Sequence, residues 1–213
     1  GYTDHVEPKS IYNSVFKNLY DGIKVDDLIK TLIMTSKTFI EKDPLYAKVT
    51  AQLLLYSIRK EVLGSHVQAS EAKETYKSYF PRFIEKGIQV GVLSSELKSF
   101  DLEFLGETIN PERDYQFGYL GLQTLYDRYF LIDRNDSFSK EGKRIELPQI
   151  FFMRVAMGLA IREKNKSKRA AEFYNLLSSF DFMSSTPTLF NSGTNFSQLS
   201  SCYLSTVEDD LDR

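Results

Sequence analysis

A mainly α-helical fold is predicted by three features of this 213-residue chain. Glycine and proline, which interrupt helices, contribute only 11 and 6 residues, a combined share of about 8% against a usual share of about 12%. Hydrophobic residues make up 42% and charged residues 26%, which is typical of a globular protein with a sizeable core. Apolar side chains also recur at the three- and four-residue spacing of amphipathic helices.

Three helices are predicted before position 64. Apolar residues on one face predict a short helix over 10–19 and a longer one over 25–41. The third helix, over 45–63, follows Asp43 and Pro44, an N-cap and a proline at the first helical position. Because the link between the second and third helices is short, we expect them to be antiparallel neighbours.

Further short helices are predicted along the middle of the chain, over 71–86, 95–100, 102–108, 115–129, 149–162 and 168–179. Pro81 must either kink or restart the first of these. Ser94, Asp101 and Asp114 are the predicted N-caps of the next three, because their side chains can accept hydrogen bonds from free backbone N–H groups.

Two β elements complete the prediction. The short segments 130–133 and 144–146 are separated by a polar stretch and predict a small hairpin. Residues 183–201 are rich in Ser, Thr, Asn, Gly and Pro without a helical period, and 202–205 read as an apolar strand. An unpaired strand edge is a liability, so we expect the natural polypeptide to continue beyond residue 213.

Charge, hydropathy and cysteine content exclude several function classes. The net charge of -2 provides no basic field for nucleic acid, and no apolar run reaches the roughly 18 residues that span a membrane. Cys202 is the single cysteine and no secretory leader is visible, so we expect a soluble cytoplasmic protein. His5 and His66 stand outside any metal-ligand motif, so no metal site is expected.

The segment 184–188, Ser-Ser-Thr-Pro-Thr, is the candidate binding segment. Short hydroxyl groups beside free backbone N–H groups can bind phosphate oxygens, but the same residue types also form ordinary turns. Cys202 has two interpretations as well. It is either a small buried hydrophobic residue or, next to polar loop residues, a redox-active thiol.

Two motifs in this region resemble a known family. Residues 185–194, Ser-Thr-Pro-Thr-Leu-Phe-Asn-Ser-Gly-Thr, and 198–204, Gln-Leu-Ser-Ser-Cys-Tyr-Leu, resemble the start of the catalytic domain of class I ribonucleotide reductase large (α) subunits. Segments at 20–24, 56–64 and 114–119 resemble earlier parts of that subunit. The resemblance extends over most of the chain and is strongest after residue 184.

The resemblance implies a division into three parts. Residues 1–64 would be the remnant or end of an ATP-cone region, 65–183 the helical N-terminal domain, and 184–213 the truncated start of the ten-stranded α/β barrel with its first strand. Residues 1–10 lack the Lys-Arg-Asp-Gly-like strand pair with which that cone begins. We therefore expect no activity-regulating ATP site in this chain.

The resemblance also implies roles for individual residues. Thr188 would bind the diphosphate of a ribonucleoside diphosphate, with Ser201 and Cys202 lining the substrate. Cys202 would be one of two catalytic thiols that form a disulfide as the ribose 2′-hydroxyl leaves as water. An allosteric site for a deoxynucleoside triphosphate would begin at the dimer interface with Asp209, Asp210 and Leu211.

The implied partners are the ribonucleoside diphosphate substrate, dNTP and ATP effectors, a second α subunit and a small (β) subunit. The intact enzyme would use a radical from the metal-containing small subunit and a thioredoxin or glutaredoxin type reductant, with no cofactor in this segment. The radical cysteine and the second redox cysteine would lie beyond residue 213, so we expect this chain to be inactive alone. The alternative is a non-catalytic helical protein-interaction module in which 184–202 is only a loop.

Overall fold

The computed structural model describes residues 6–65, 67–135 and 142–207, and these are mainly helical. Their helices are α1 (Pro8–Phe16), α2 (Val25–Thr38), α3 (Tyr46–Leu63), α4 (Ala72–Gln89), α5 (Leu102–Thr108), α6 (Tyr119–Thr124), α7 (Pro148–Ala160), α8 (Lys166–Ser178) and α9 (Thr186–Asn191). Strands β1 (Ile132–Asp133) and β2 (Lys143–Arg144) form the predicted antiparallel hairpin. The mainly α prediction is confirmed.

Local signals fix several helix ends where the sequence predicts them. The side chain of Ser94 accepts a hydrogen bond from Glu96 N (3.3 Å) and opens the 3-10 turn Ser95–Ser99. Asp101 accepts from Phe104 N (3.0 Å) at the start of α5. Both predicted N-caps are confirmed because each depends only on residues within one turn.

Helix α4 continues through Pro81, so the proline does not restart it. The face of α4 that points into the protein carries side chains that are 0% exposed: Tyr76, Phe80, Phe83 and Ile84. Burying such a side chain stabilises the fold by about 1.5–3 kcal/mol. Four of them together outweigh the roughly 3 kcal/mol that an interior proline costs.

The prediction of one continuous helix over 115–129 is wrong. The chain instead forms a 3-10 turn (Pro111–Gln116), helix α6 and a π turn (Leu125–Tyr129). Asp114 is not an N-cap, since its carboxylate is buried against Arg59, and Asn110 caps the 3-10 turn by accepting from Glu112 N. The side chain of Asp114, which the local sequence predicts as an N-cap, is therefore bound to the distant Arg59 instead.

Two predictions for the last part of the chain are corrected. The stretch 183–201 contains the six-residue helix α9, which is too short to show a helical period. The strand predicted over 202–205 is not formed, because residues 202–207 are exposed and have no pairing within the described ranges. A strand requires a neighbouring strand for its backbone hydrogen bonds, and the first barrel strand is therefore absent from this structure's described part.

The core is centred on α7. Eleven of its thirteen residues are buried, as expected of a helix that is surrounded on all sides. One apolar cluster includes Ile29 of α2, Leu54 of α3 and Phe80 of α4 together with α7 and α8, while a smaller cluster forms around Val15 of α1. The division at residues 64 and 184 stays a prediction.

Within the described ranges, no helix has both the length and the apolar content that crossing a bilayer requires.

Candidate functional site

Helix α9 and the segment after it join the two sequence motifs. The hydroxyl of Thr188 donates a hydrogen bond to the Leu199 carbonyl (3.0 Å), and Asn191 Nδ2 donates to the Gln198 carbonyl (2.7 Å). The hydroxyl of Ser185 lies 3.3 Å from that of Thr188. The two motifs are therefore one folded unit, which we call the motif segment (residues 185–201).

Helix α7 anchors one side of the motif segment. Arg154 Nη1 donates to the Ser192 carbonyl (2.7 Å), and the Ser192 hydroxyl donates to the Val155 carbonyl (2.7 Å). A β-carbon on Gly158 would lie 2.1 Å from Gly193 N. The backbone approach is thus too close for any side chain at position 158, and Gly193 itself adopts a positive φ of 78°.

The loop after α4 holds the opposite side of the motif segment. Leu93 and Thr194 form an antiparallel β-bridge, in which Ser94 N donates to the Gly193 carbonyl (3.0 Å). Asn195 Nδ2 donates to the Gly91 carbonyl (2.8 Å). These contacts link residues that are about 100 positions apart, so the motif segment is fixed by tertiary structure.

An aromatic residue of the π turn covers α9. The ring of Tyr129 stacks on Phe190 with a centroid distance of 4.5 Å and an interplanar angle of 17°. Its hydroxyl lies 3.3 Å from Thr186 Oγ1. Both ends of α9 therefore contact the same tyrosine, whose backbone belongs to a turn type that is common at functional positions.

An open cleft of about 730 Å³ lies beside the motif segment. Its lining residues come from the α4 loop, the entry to β1, the motif segment and the residues just after it: Gly91, Val92, Leu131, Pro187, Phe190, Asn191, Thr194, Phe196, Gln198, Ser200, Ser201 and Tyr203. The set combines neutral hydroxyl and amide groups with aromatic rings. Such a lining suits a polar ligand that also presents a flat or apolar surface.

The predicted site residues differ in their burial and in whether the structure describes them. Thr188 is buried and its hydroxyl is bonded within the motif segment, whereas Ser201 is exposed and lines the cleft. Cys202 is an exposed free thiol next to Ser201 in the described part of the chain. Three predicted effector residues lie outside the described ranges, Asp209, Asp210 and Leu211.

The prediction that the chain has no metal site concerns residues inside the described ranges and two histidines outside them. Within residues 6–65, 67–135 and 142–207, no group of three His, Cys, Asp or Glu side chains could hold a metal ion. His5 and His66 lie outside these ranges.

Sequence reasoning missed Arg154 and Glu146, which hold the motif segment from within the core. Both side chains are 0% exposed, and Arg154 Nε lies 2.7 Å from Glu146 Oε1. The available signal was a single arginine inside an otherwise apolar run over 150–161. A charged residue in such a place is buried only when it is paired.

A second buried polar cluster lies among the helices. Asp114 accepts hydrogen bonds from Arg59 Nη2 (3.0 Å), from the Tyr76 hydroxyl (2.5 Å) and from Gln149 Nε2 (3.0 Å). Burial raises the pKa of the Asp114 carboxyl, and the charge of Arg59 opposes that shift. Tyr174 extends the cluster by donating to Gln149 Oε1 (2.9 Å).

Comparison with known proteins agrees with the two motifs. The family described as "Ribonucleotide reductase, all-alpha domain" matches residues 115–197. The ribonucleoside-diphosphate reductase subunit alpha of Chlamydia trachomatis serovar D is 49% identical over 197 residues, which cover 92% of this chain and 18% of that protein. The Helicobacter pylori subunit alpha is 42% identical over 193 residues, which cover 90% of this chain and 23% of that protein.

A vertebrate relative gives the same result at lower identity. The Danio rerio ribonucleoside-diphosphate reductase large subunit is 31% identical over 208 residues, which cover 98% of this chain and 25% of that protein. The chain thus spans about a fifth to a quarter of the length of these relatives. The matches favour the reductase interpretation over the interaction module, and the chain is similar to the N-terminal part of ribonucleotide reductase α subunits, as its motifs predict.

Proposed function

We propose that the intact subunit reduces ribonucleoside diphosphates to deoxyribonucleoside diphosphates for DNA precursor synthesis, and that this segment supplies one wall of the substrate site. The hydrogen bond between Thr188 and the Leu199 carbonyl carries the proposal, because it brings both motifs together beside a cleft. The names of the relatives supply the substrate class. The present chain alone has only part of the site and is inactive.

Thr188 and Ser201 are the proposed substrate-binding residues of the segment. Ser201 is exposed on the cleft, so its hydroxyl can reach a ligand without rearrangement. Thr188 Oγ1 already donates its proton to the Leu199 carbonyl. It can therefore accept a further hydrogen bond, and it donates to a phosphate oxygen only after its hydroxyl rotates.

Cys202 is the proposed redox residue. Its exposed thiol and a second thiol elsewhere in the intact subunit lose two electrons and two protons and form one disulfide. The two electrons replace the ribose 2′ C–O bond by a C–H bond, and the hydroxyl leaves as water. A thioredoxin or glutaredoxin type reductant restores both thiols by disulfide exchange, and a radical from the metal-containing small subunit starts the reaction.

The proposed regulation lies at the end of the chain. Asp209, Asp210 and Leu211 begin a dNTP site at the interface of an α homodimer, where carboxylates suit ribose hydroxyl or metal contacts better than direct contact with phosphate. ATP is a further proposed effector of the intact enzyme. A reducing cytoplasm is the proposed location, since a thiol at position 202 must be kept reduced between turnovers.

The intact subunit with Cys202→Ser tests the proposal. The substitution keeps the side-chain volume and removes the exchangeable thiol, so we expect nucleoside diphosphate binding to be nearly unchanged and turnover to fall by orders of magnitude. Ser205→Ala is the matched control, because residue 205 is also exposed and carries no proposed role. Near-normal turnover of Cys202→Ser with a dithiol donor would contradict the role of Cys202.

A further inference from the structure

The guanidinium of Arg154 makes a set of contacts that converge on the end of α9. Its Nη1 donates to the carbonyls of Leu189 (3.3 Å) and Ser192 (2.7 Å), and its Nη2 also reaches the Leu189 carbonyl (3.3 Å). The last carbonyls of a helix have no partner within the helix. A cation at this end satisfies them and interacts favourably with the helix dipole.

We propose that Arg154, held by Glu146, is a positioning residue for substrate binding, which fixes the motif segment from the core without touching the substrate. This inference rests on the proposed function. Neither residue belongs to the two sequence motifs, and neither lines the cleft.

Glu146 holds the guanidinium of Arg154 in one orientation. Its two oxygens accept from Arg154 Nε (2.7 Å) and Nη2 (3.3 Å), and Oε2 also accepts from Leu131 N (2.9 Å). The pair is therefore attached to the chain just before the hairpin as well as to α9. Because both side chains are fully buried, neither can turn towards water when a contact is lost.

The effect of Arg154 reaches the cleft through a short series of contacts. Arg154 holds the last turn of α9, and α9 carries Thr188. Thr188 in turn holds the Leu199 carbonyl, two residues before Ser201. Displacing the end of α9 therefore displaces both proposed substrate-binding residues.

Arg59 provides a matched control within the same domain. It is also buried and ion-paired, with Nη2 lying 3.0 Å from Asp114 Oδ2. Its recorded bonds end on the side chains of Tyr76 and Asp114, which belong to the helical scaffold. Substituting Arg59 should therefore affect stability without moving the motif segment.

The test uses Arg154→Lys and Arg59→Lys in the intact subunit. Lysine keeps the charge, but its single ammonium cannot replace a planar group with five donors. We expect Arg154→Lys to weaken ribonucleoside diphosphate binding by about tenfold or more and to speed hydrogen exchange in residues 185–201. Arg59→Lys should lower the melting temperature but leave both the dissociation constant and this local exchange unchanged, when measured where each variant is folded.

Two results would overturn the proposal. One is a folded Arg154→Lys subunit with wild-type affinity for ribonucleoside diphosphate and wild-type hydrogen exchange in residues 185–201. The other is an Arg59→Lys subunit with the weaker binding and faster exchange that we expect of Arg154→Lys. If Arg154→Lys does not fold, Ser192→Ala replaces it, because that change removes only the bond to the Val155 carbonyl and should give the same pair of effects in smaller size. If the wild-type subunit binds no nucleoside diphosphate, the proposed function fails. Exchange in residues 185–201 then decides alone whether Arg154 positions the segment.

Discussion

Two arginines, Arg59 and Arg154, are buried among the described residues, and they differ in their partners. Arg59 binds side chains, the Asp114 carboxylate and the Tyr76 hydroxyl, each of which belongs to a helix or turn of the scaffold. Arg154 binds one carboxylate, that of Glu146, and the backbone carbonyls of Leu189, Phe190 and Ser192. The first cluster connects helices that each contribute several side chains to the main apolar cluster, whereas the second holds α9, of which one residue, Leu189, belongs to that cluster.

The difference shows that a buried guanidinium can connect side chains of the scaffold or hold the backbone of a neighbouring segment. In α9 only Thr188 and Leu189 are buried, so apolar burial alone cannot fix its position. Backbone carbonyls are present at every residue, and an arginine that binds them holds the chain without constraining side chains at the cleft. The motif segment is therefore held in part through its own backbone carbonyls.

Glu146→Ala is expected to have the largest effect. It leaves Arg154 buried without a counter-ion and Leu131 N without its acceptor, so the free energy of unfolding should fall by about 3–5 kcal/mol. Urea denaturation measures this. Glu163→Ala is the control, since that carboxylate is about half exposed and 3.7 Å from Arg169 Nε, and it should cost about 0.5 kcal/mol or less. Similar losses in both variants would contradict the assigned role of the buried pair.

Asp114→Asn tests the scaffold cluster and should have a smaller effect. The amide keeps the volume and one acceptor oxygen but removes the charge opposite Arg59, so we expect a loss of about 2–3 kcal/mol. Hydrogen exchange in residues 185–201 should stay at the wild-type rate. Faster exchange there would show that the two clusters are coupled rather than separate in function.

Alkaline pH tests the outer member of the scaffold cluster. Burial raises the pKa of Tyr174 to about 12 from an ordinary 10.0. Between these values the unfolded chain has lost a proton that the folded chain keeps, so the free energy of unfolding falls as pH rises, by up to about 1.4 kcal/mol per pH unit for this group.

Tyr174→Phe isolates that contribution. At pH 8 the variant should be less stable by about 1–2 kcal/mol, because Gln149 Oε1 and Asn110 N lose their bonds to the hydroxyl. The difference in the free energy of unfolding between wild type and variant should narrow as the pH approaches 11, because only the wild type loses stability through Tyr174. Urea denaturation at both pH values measures it, and a constant difference would contradict the raised pKa.

Leu204→Ala should have the smallest effect. Leu204 is fully exposed in the described chain, so we expect a change within about 0.5 kcal/mol. The matched substitution Leu189→Ala removes a buried leucine of α9 and should cost about 2–4 kcal/mol. A large loss for Leu204→Ala would indicate that residues after 201 pack against this domain, contrary to the structure.

Sequence patterns predicted the parts of the fold that depend on neighbouring residues. The predicted bounds of α5 agree with the structure because Asp101 caps the helix within one turn. The start of α2 at Val25 also agrees. Asp114 was misassigned because its partner, Arg59, lies 55 residues away, and no local pattern reveals a contact of that length.

The candidate site was predicted less completely than the fold. The two motifs pointed to Thr188, Ser201 and Cys202, and the roles of these three residues stay predictions. The anchoring of the site was not predicted, since Arg154 meets Leu189 and Ser192 across 35 and 38 residues. Only its position inside an apolar run distinguished this arginine from those at the surface.

The bridge between Leu93 and Thr194 also has a consequence for the order of folding. It closes a loop of about 100 residues, and the entropy lost in closing such a loop must be offset by contacts that already exist. During synthesis the residues of α4 and α7 leave the ribosome before α9 does. We therefore expect the helical scaffold to form first and the motif segment to dock onto it as the last step.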